Sequence, residues 1–83
     1  MRLLYFARVR EAVGIDAEER KLPPELQNVG DCIVWLAGQG ANYAAAFADP
    51  SRLRFALDQQ MVWEETLLED ATELAIFPPV TGG

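Results

Sequence analysis

ELAIFPPVTGG, residues 73–83, sets an alternating run of β formers against two prolines and a closing Gly-Gly. Side chains along a strand point alternately to opposite faces. In a strand predicted over 73–77, Leu74 and Ile76 therefore share one face, and Glu73, Ala75 and Phe77 the other. Glu73 marks the second face as the one nearer water, which leaves Phe77 as a large ring on an accessible surface. Pro78 and Pro79 end the strand and hold the following chain extended. Six residues in that conformation span at most roughly 19 Å, enough to reach from a docking face into a buried site. Gly82 and Gly83 carry no side chain, so a carboxylate there could pass a narrow tunnel. The expected organisation is a folded domain over 1–77 and an extended tail over 78–83.

The first predicted strand, RLLYFA at 2–7, repeats the anomaly. Arg2, Leu4 and Phe6 share one face, Leu3, Tyr5 and Ala7 the other, so Phe6 lies on the face marked by Arg2. If the two strands are neighbours, two aromatic rings meet on the uncovered side of a sheet, and an exposed apolar cluster of that kind marks an interface. Between these strands the sequence predicts a short helical turn or loop ending at Gly14. A charged edge strand over 17–23 follows, closed by Pro23 and Pro24. The clearest helix is NVGDCIVWLAGQG, with Asn28 as N-cap and Asp31 in the first turn. Its apolar stripe is Val29, Cys32, Ile33 and Leu36, spaced i, i+3, i+4 and i+7. ANYAAAFAD gives a second short helix, RLRFALD (52–58) a half-buried strand, Asp58 to Gln60 a turn and MVW a returning strand. The order β-β-α-α-β-β-β implies an α+β domain, a mixed sheet with helices packed on one face.

Composition narrows the function. The chain has 83 residues, seven basic and thirteen acidic, for a net charge of −6. It lacks the clustered Lys and Arg that nucleic-acid binding requires. The N-terminal apolar run is too short and too interrupted for a signal peptide or membrane span. One cysteine permits no internal disulfide, which fits a reducing cytoplasm. With no histidine and one cysteine, no metal site is expected. The carboxylates at 18–20 and 64–65 fall where solvated faces and turns are expected, so none is a candidate catalyst. The remaining reactive group is the carboxylate of Gly83. Adenylation by ATP would give it a good leaving group, and the acyl-adenylate could then accept sulfur, an amine or a thiol.

FARVREAVG (6–14) and FPPVTGG (77–83) resemble the ubiquitin-like sulfur carriers, the family of the small subunit of molybdopterin synthase, over nearly the whole chain. Asp58 stands where that family commonly has Asn, and Ala71 where it commonly has Gly. The resemblance implies a β-grasp fold and a mechanism. ATP is consumed by an activating enzyme that adenylates Gly83, and no cofactor is held permanently. A sulfurtransferase then converts Gly83 to a thiocarboxylate. The tail, Pro78, Pro79, Val80, Thr81 and Gly82, threads into the large catalytic subunit of a heterotetrameric synthase, which supplies the catalytic residues. There sulfur passes to a pterin precursor and forms the dithiolene that binds molybdenum. Phe6, Met61 and Phe77 would make the hydrophobic contact with both partners; Met61 is added by the resemblance alone. Two alternatives share the chemistry at Gly83: a carrier for thiamine, cysteine or tungsten-cofactor synthesis, and a ubiquitin-like modifier joined to lysines.

Overall fold

The strand expected over 73–77, β5 (Glu73–Phe77), lies at the centre of a five-stranded sheet in the computed structural model, which describes residues 1–79. Val80, Thr81, Gly82 and Gly83 lie outside the described residues. On one side β5 pairs in parallel with β1 (Arg2–Tyr5), and on the other antiparallel with β3 (Arg54–Leu57). The edges are β2 (Ala17–Glu19), antiparallel to β1, and β4 (Gln60–Val62), antiparallel to β3. The order is β2-β1-β5-β3-β4, so the first and last strands are neighbours. A parallel pair requires a crossover, and here the whole intervening chain supplies it.

The predicted alternation places the core. Leu3 and Tyr5 of β1 sit beside Leu74 and Ile76 of β5, which face Leu57 and Phe55 of β3. All six are buried, together with Val29, Cys32, Ile33 and Leu36 from helix α2 (Val29–Ala37). The Asn28 cap is present as a reciprocal box: the Asp31 N–H donates to Asn28 Oδ1 at 2.8 Å, and the Asn28 N–H donates to Asp31 Oδ2 at 3.4 Å. Burial pushes the Cys32 thiol up to about 12, so it behaves as a small hydrophobe.

Several boundaries differ from the sequence reading. The first strand ends at Tyr5, because Ala7 turns to φ 52 and opens a seven-residue helix, α1 (Ala7–Val13), where only a turn was expected. Val9 and Val13, one helical turn apart, bury its inner face, and Gly14 closes it at φ 97. Phe6 remains extended (φ −129, ψ 153) and its N–H donates to the Ile76 carbonyl at 3.2 Å, so strand parity holds one residue past the formal end. Helix α3 (Ala41–Ala46) stops at Phe47, because Asp49 caps a separate 3-10 turn over Pro50–Arg52. That turn removes Arg52 from the third strand.

The second strand is three residues long, and its Glu18 is only partly exposed. Glu18 lies opposite Leu3 and so faces the core side of the sheet. Its carboxylate accepts from Tyr5 Oη at 2.7 Å, Tyr43 Oη at 2.8 Å and Arg20 Nε at 3.0 Å. Arg20 also donates to Gln39 and Tyr43, and its guanidinium lies 5.7 Å from the centre of the Trp35 ring. This polar knot joins β1 and β2 to α2 and α3, while the Arg20 backbone still exchanges hydrogen bonds with Met1, one pair past the end of β2.

Candidate functional site: the open sheet face and the tail root

The face of the sheet opposite the helices carries the predicted surface residues in register. One row crosses all five strands: Ala17, Leu4, Ala75, Ala56 and Met61. The two alanines keep its middle flat, and Met61 at the edge is 64 % exposed. The charged pair Arg2 and Glu73 lies on the side away from the tail. On the tail side are the two aromatic rings. Phe6 and Phe77 meet edge-on, with centroids 6.5 Å apart and planes at 81°, within the favourable range for an aromatic pair. Phe77 is half-buried, whereas Phe6 is 46 % exposed.

The structure therefore brings Phe6 and Phe77 together at the strand end from which the tail leaves. Met61 lies on the same face but two strands away, so the three residues span a surface rather than a cluster. Pro78 and Pro79 are half-buried at the tail root. Pro78 lines a groove of about 270 Å³ with Val9, Ala12, Ala46 and Leu53, rimmed by Arg8 and Arg52. Pro78, the first residue after β5, is thus seated against α1 and α3. Val80, Thr81, Gly82 and Gly83, the remaining predicted tail residues, are outside the described residues.

Met61 is positioned by a two-residue hairpin. Asp58 and Gln59 both have positive φ, 47 and 72, as the mirror-image turn favoured between twisted strands requires. Asp tolerates that region well, so Asp58 performs the turn. Its Oδ1 also accepts from the Thr72 N–H, the Thr72 hydroxyl and the Glu73 N–H at 3.0, 3.1 and 3.0 Å. The bonds from the Thr72 and Glu73 backbone hold its carboxyl below the usual range. The neighbouring loop takes its left-handed residue at Glu69 (φ 45), so Ala71 sits there without strain.

Trp63 is a large residue of this surface that the sequence reading passed over; it is 70 % exposed. The available signal was parity, since Trp63 stands two residues after Met61.

The comparisons with known proteins agree with this geometry. The ThiS family model matches residues 3–83. The chain is 39 % identical to the molybdopterin synthase sulfur carrier subunit of Escherichia coli and 32 % identical to that of Haemophilus influenzae, each over all of this chain and 99 % of the relative. Among solved structures, SAMP1 from Haloferax volcanii shares the fold with a TM-score of 0.72 at 22 % identity, over 100 % of this chain and 98 % of that one. A protein from Pyrococcus furiosus described as a molybdopterin converting factor, subunit 1, gives a TM-score of 0.64 at 26 % identity, with 95 % of both chains covered. Both the expected β-grasp fold and the expected resemblance are upheld: matched from Leu3 to its closing glycines, the chain belongs to the ThiS family.

Proposed function

We propose that this chain is the sulfur carrier subunit of a molybdopterin synthase, and that its reagent is the carboxylate of Gly83. The observation that carries the reading is the end-to-end match to two such subunits, which includes the closing Gly-Gly. An activating enzyme would bring ATP to the tail; a Gly83 carboxylate oxygen attacks the α-phosphorus and pyrophosphate leaves. A sulfurtransferase then supplies a sulfide equivalent that displaces AMP, leaving a thiocarboxylate. The large synthase subunit receives the loaded tail and provides the groups that move sulfur to the pterin precursor.

The described residues support a steering role for the folded domain. Phe6 and Phe77 stand at the tail's point of departure, and Met61 extends the same face. Burying such a face on a partner would place the tail root within a few ångströms of the contact. An extended tail of six residues then reaches about 19 Å beyond it. Pro78 and Pro79 lower the conformational entropy lost on insertion. Within the carrier, the only chemistry required is that Gly83 reach the active sites of others.

The test is an intact-mass measurement after incubation with ATP, the cognate activating enzyme and a sulfur donor. The expected result is the replacement of one oxygen by sulfur, located at Gly83 by fragmentation. An unchanged mass would overturn the reading. Isopeptide conjugates on lysines would overturn it in favour of a protein modifier.

A further inference from the structure

The aromatic row on the open face does not end at Phe77. Arg54 lies in register opposite Phe77. Phe6, Phe77 and Arg54 thus form a row across three strands, beside the row that ends in Met61. Phe55 pairs with Val62, the last residue of β4, and Trp63 follows it directly, two residues after Met61. Trp63 lies beyond the last residue of β4, yet its backbone is fixed: its N–H donates to Thr66 Oγ1 and its carbonyl accepts from the Thr66 N–H, both at 3.1 Å. The indole projects from that pinned turn and is 70 % exposed. A rigid, exposed tryptophan carries a large apolar area at low entropic cost, which is why tryptophan is enriched among residues that dominate binding.

Arg54 is the one cation on these two rows. It is half-buried, and Nη1 donates to its own neighbour's carbonyl at Leu53, 2.9 Å, and to Ser51 at 3.4 Å. Among the described residues no carboxylate lies within ion-pair distance of it. Among the described residues its Nε and Nη2 have no hydrogen-bond partner and can meet an acceptor arriving from outside. Beside Phe77, a guanidinium would meet that acceptor as the apolar neighbour is desolvated, where such a bond discriminates most strongly between partners.

We propose that Trp63 and Arg54 complete the docking surface and determine which large subunit this carrier accepts. The occupant is the face of the large synthase subunit that receives the tail, presenting an apolar cleft to the indole and a carboxylate to Arg54. Arg54 extends, in register, the row that begins beside the tail root, and Trp63 stands exposed directly after the strand that carries Met61. The inference rests on the reading of the chain as a synthase subunit.

The experiment measures binding of the chain to the purified large subunit of the same organism by calorimetry. The variants are Trp63→Ala, Trp63→Phe, Arg54→Glu, Arg54→Gln and, as a reference, Phe6→Ala. Trp63→Ala is expected to weaken binding by at least about tenfold, the scale of a dominant interface residue. Trp63→Phe should recover part of that loss, and Arg54→Glu should weaken binding more than Arg54→Gln. The melting temperature of the Trp63 variants should match the parent, because the ring is exposed. If Trp63→Ala binds like the parent while Phe6→Ala does not, this extension is wrong and the docking reading survives. If the parent itself does not bind, both fall. A loss confined to the activating enzyme, or a self-association of the chain that Trp63→Ala abolishes, would assign the row to a different occupant and overturn the proposal.

Discussion

Glu18 shows how far one residue can depart from its local sequence. Within EER it reads as solvent-facing, yet it holds the hydroxyls of Tyr5 and Tyr43, thirteen and twenty-five residues away. No local pattern carries that information, because the partners converge only after β1, β2 and α3 are in place. Phe6 and Phe77 are the opposite case: strand parity alone selects them, and their rings do meet. For Glu18, burial opposes ionisation, but the bonds from Tyr5, Tyr43 and Arg20 outweigh it and hold the carboxyl below its ordinary value. Desolvation and the bond to Glu18 push the Tyr5 hydroxyl upward, so it remains a donor through neutral pH. A carboxylate with a depressed folded-state pKa stabilises the fold above its unfolded value and loses that contribution as pH falls through the folded one. Glu18→Gln is therefore expected to cost about 1.5–3 kcal/mol at pH 7, the scale of hydrogen bonds to a charged group. In paired denaturant titrations the difference from the parent should shrink as pH drops below about 4, the ordinary glutamate value. A pH-independent difference would mean that the carboxylate's charge contributes nothing.

Among the elements, those with a complete local code were legible and those dependent on a single unusual dihedral were not. Helix α2 carries its cap, its first-turn acid and its apolar stripe in one window, and all of them form. Strand β5 occupies the five predicted residues. Helix α1 was under-read because it begins at an alanine with positive φ, a choice that propensity does not anticipate. The strand over 17–23 was over-read, since pairing ends with Arg20 against Met1 and Pro23 and Pro24 then divert the chain. Asn28→Ala removes one half of the capping box and is expected to destabilise the protein by about 1 kcal/mol. For a domain of this size that is a fall of about 4–8 °C in melting temperature, readable by calorimetry. No shift would mean that the α2 terminus is held by the backbone bonds of Val29 and Gly30 to Thr66 and Glu64 instead.

At the scale of the whole molecule, the sheet order explains the function proposed. Placing the last strand beside the first puts Phe77 next to Phe6, and the tail leaves from that point. The helices occupy the other face, so the open face remains for a partner while the core is complete without one. The two rings were legible in the sequence because each is written in a single short segment. The sequence did not reveal that Arg54 lies in register beside Phe77, because a cross-strand row exists only once register is set. Cell complementation tests the central claim, that the domain steers and the diglycine reacts. In a host lacking its own sulfur carrier subunit, the full chain should restore molybdoenzyme activity. The same chain ending at Thr81 should fold with an unchanged melting temperature and restore none. Restored activity from the shortened chain would contradict the account.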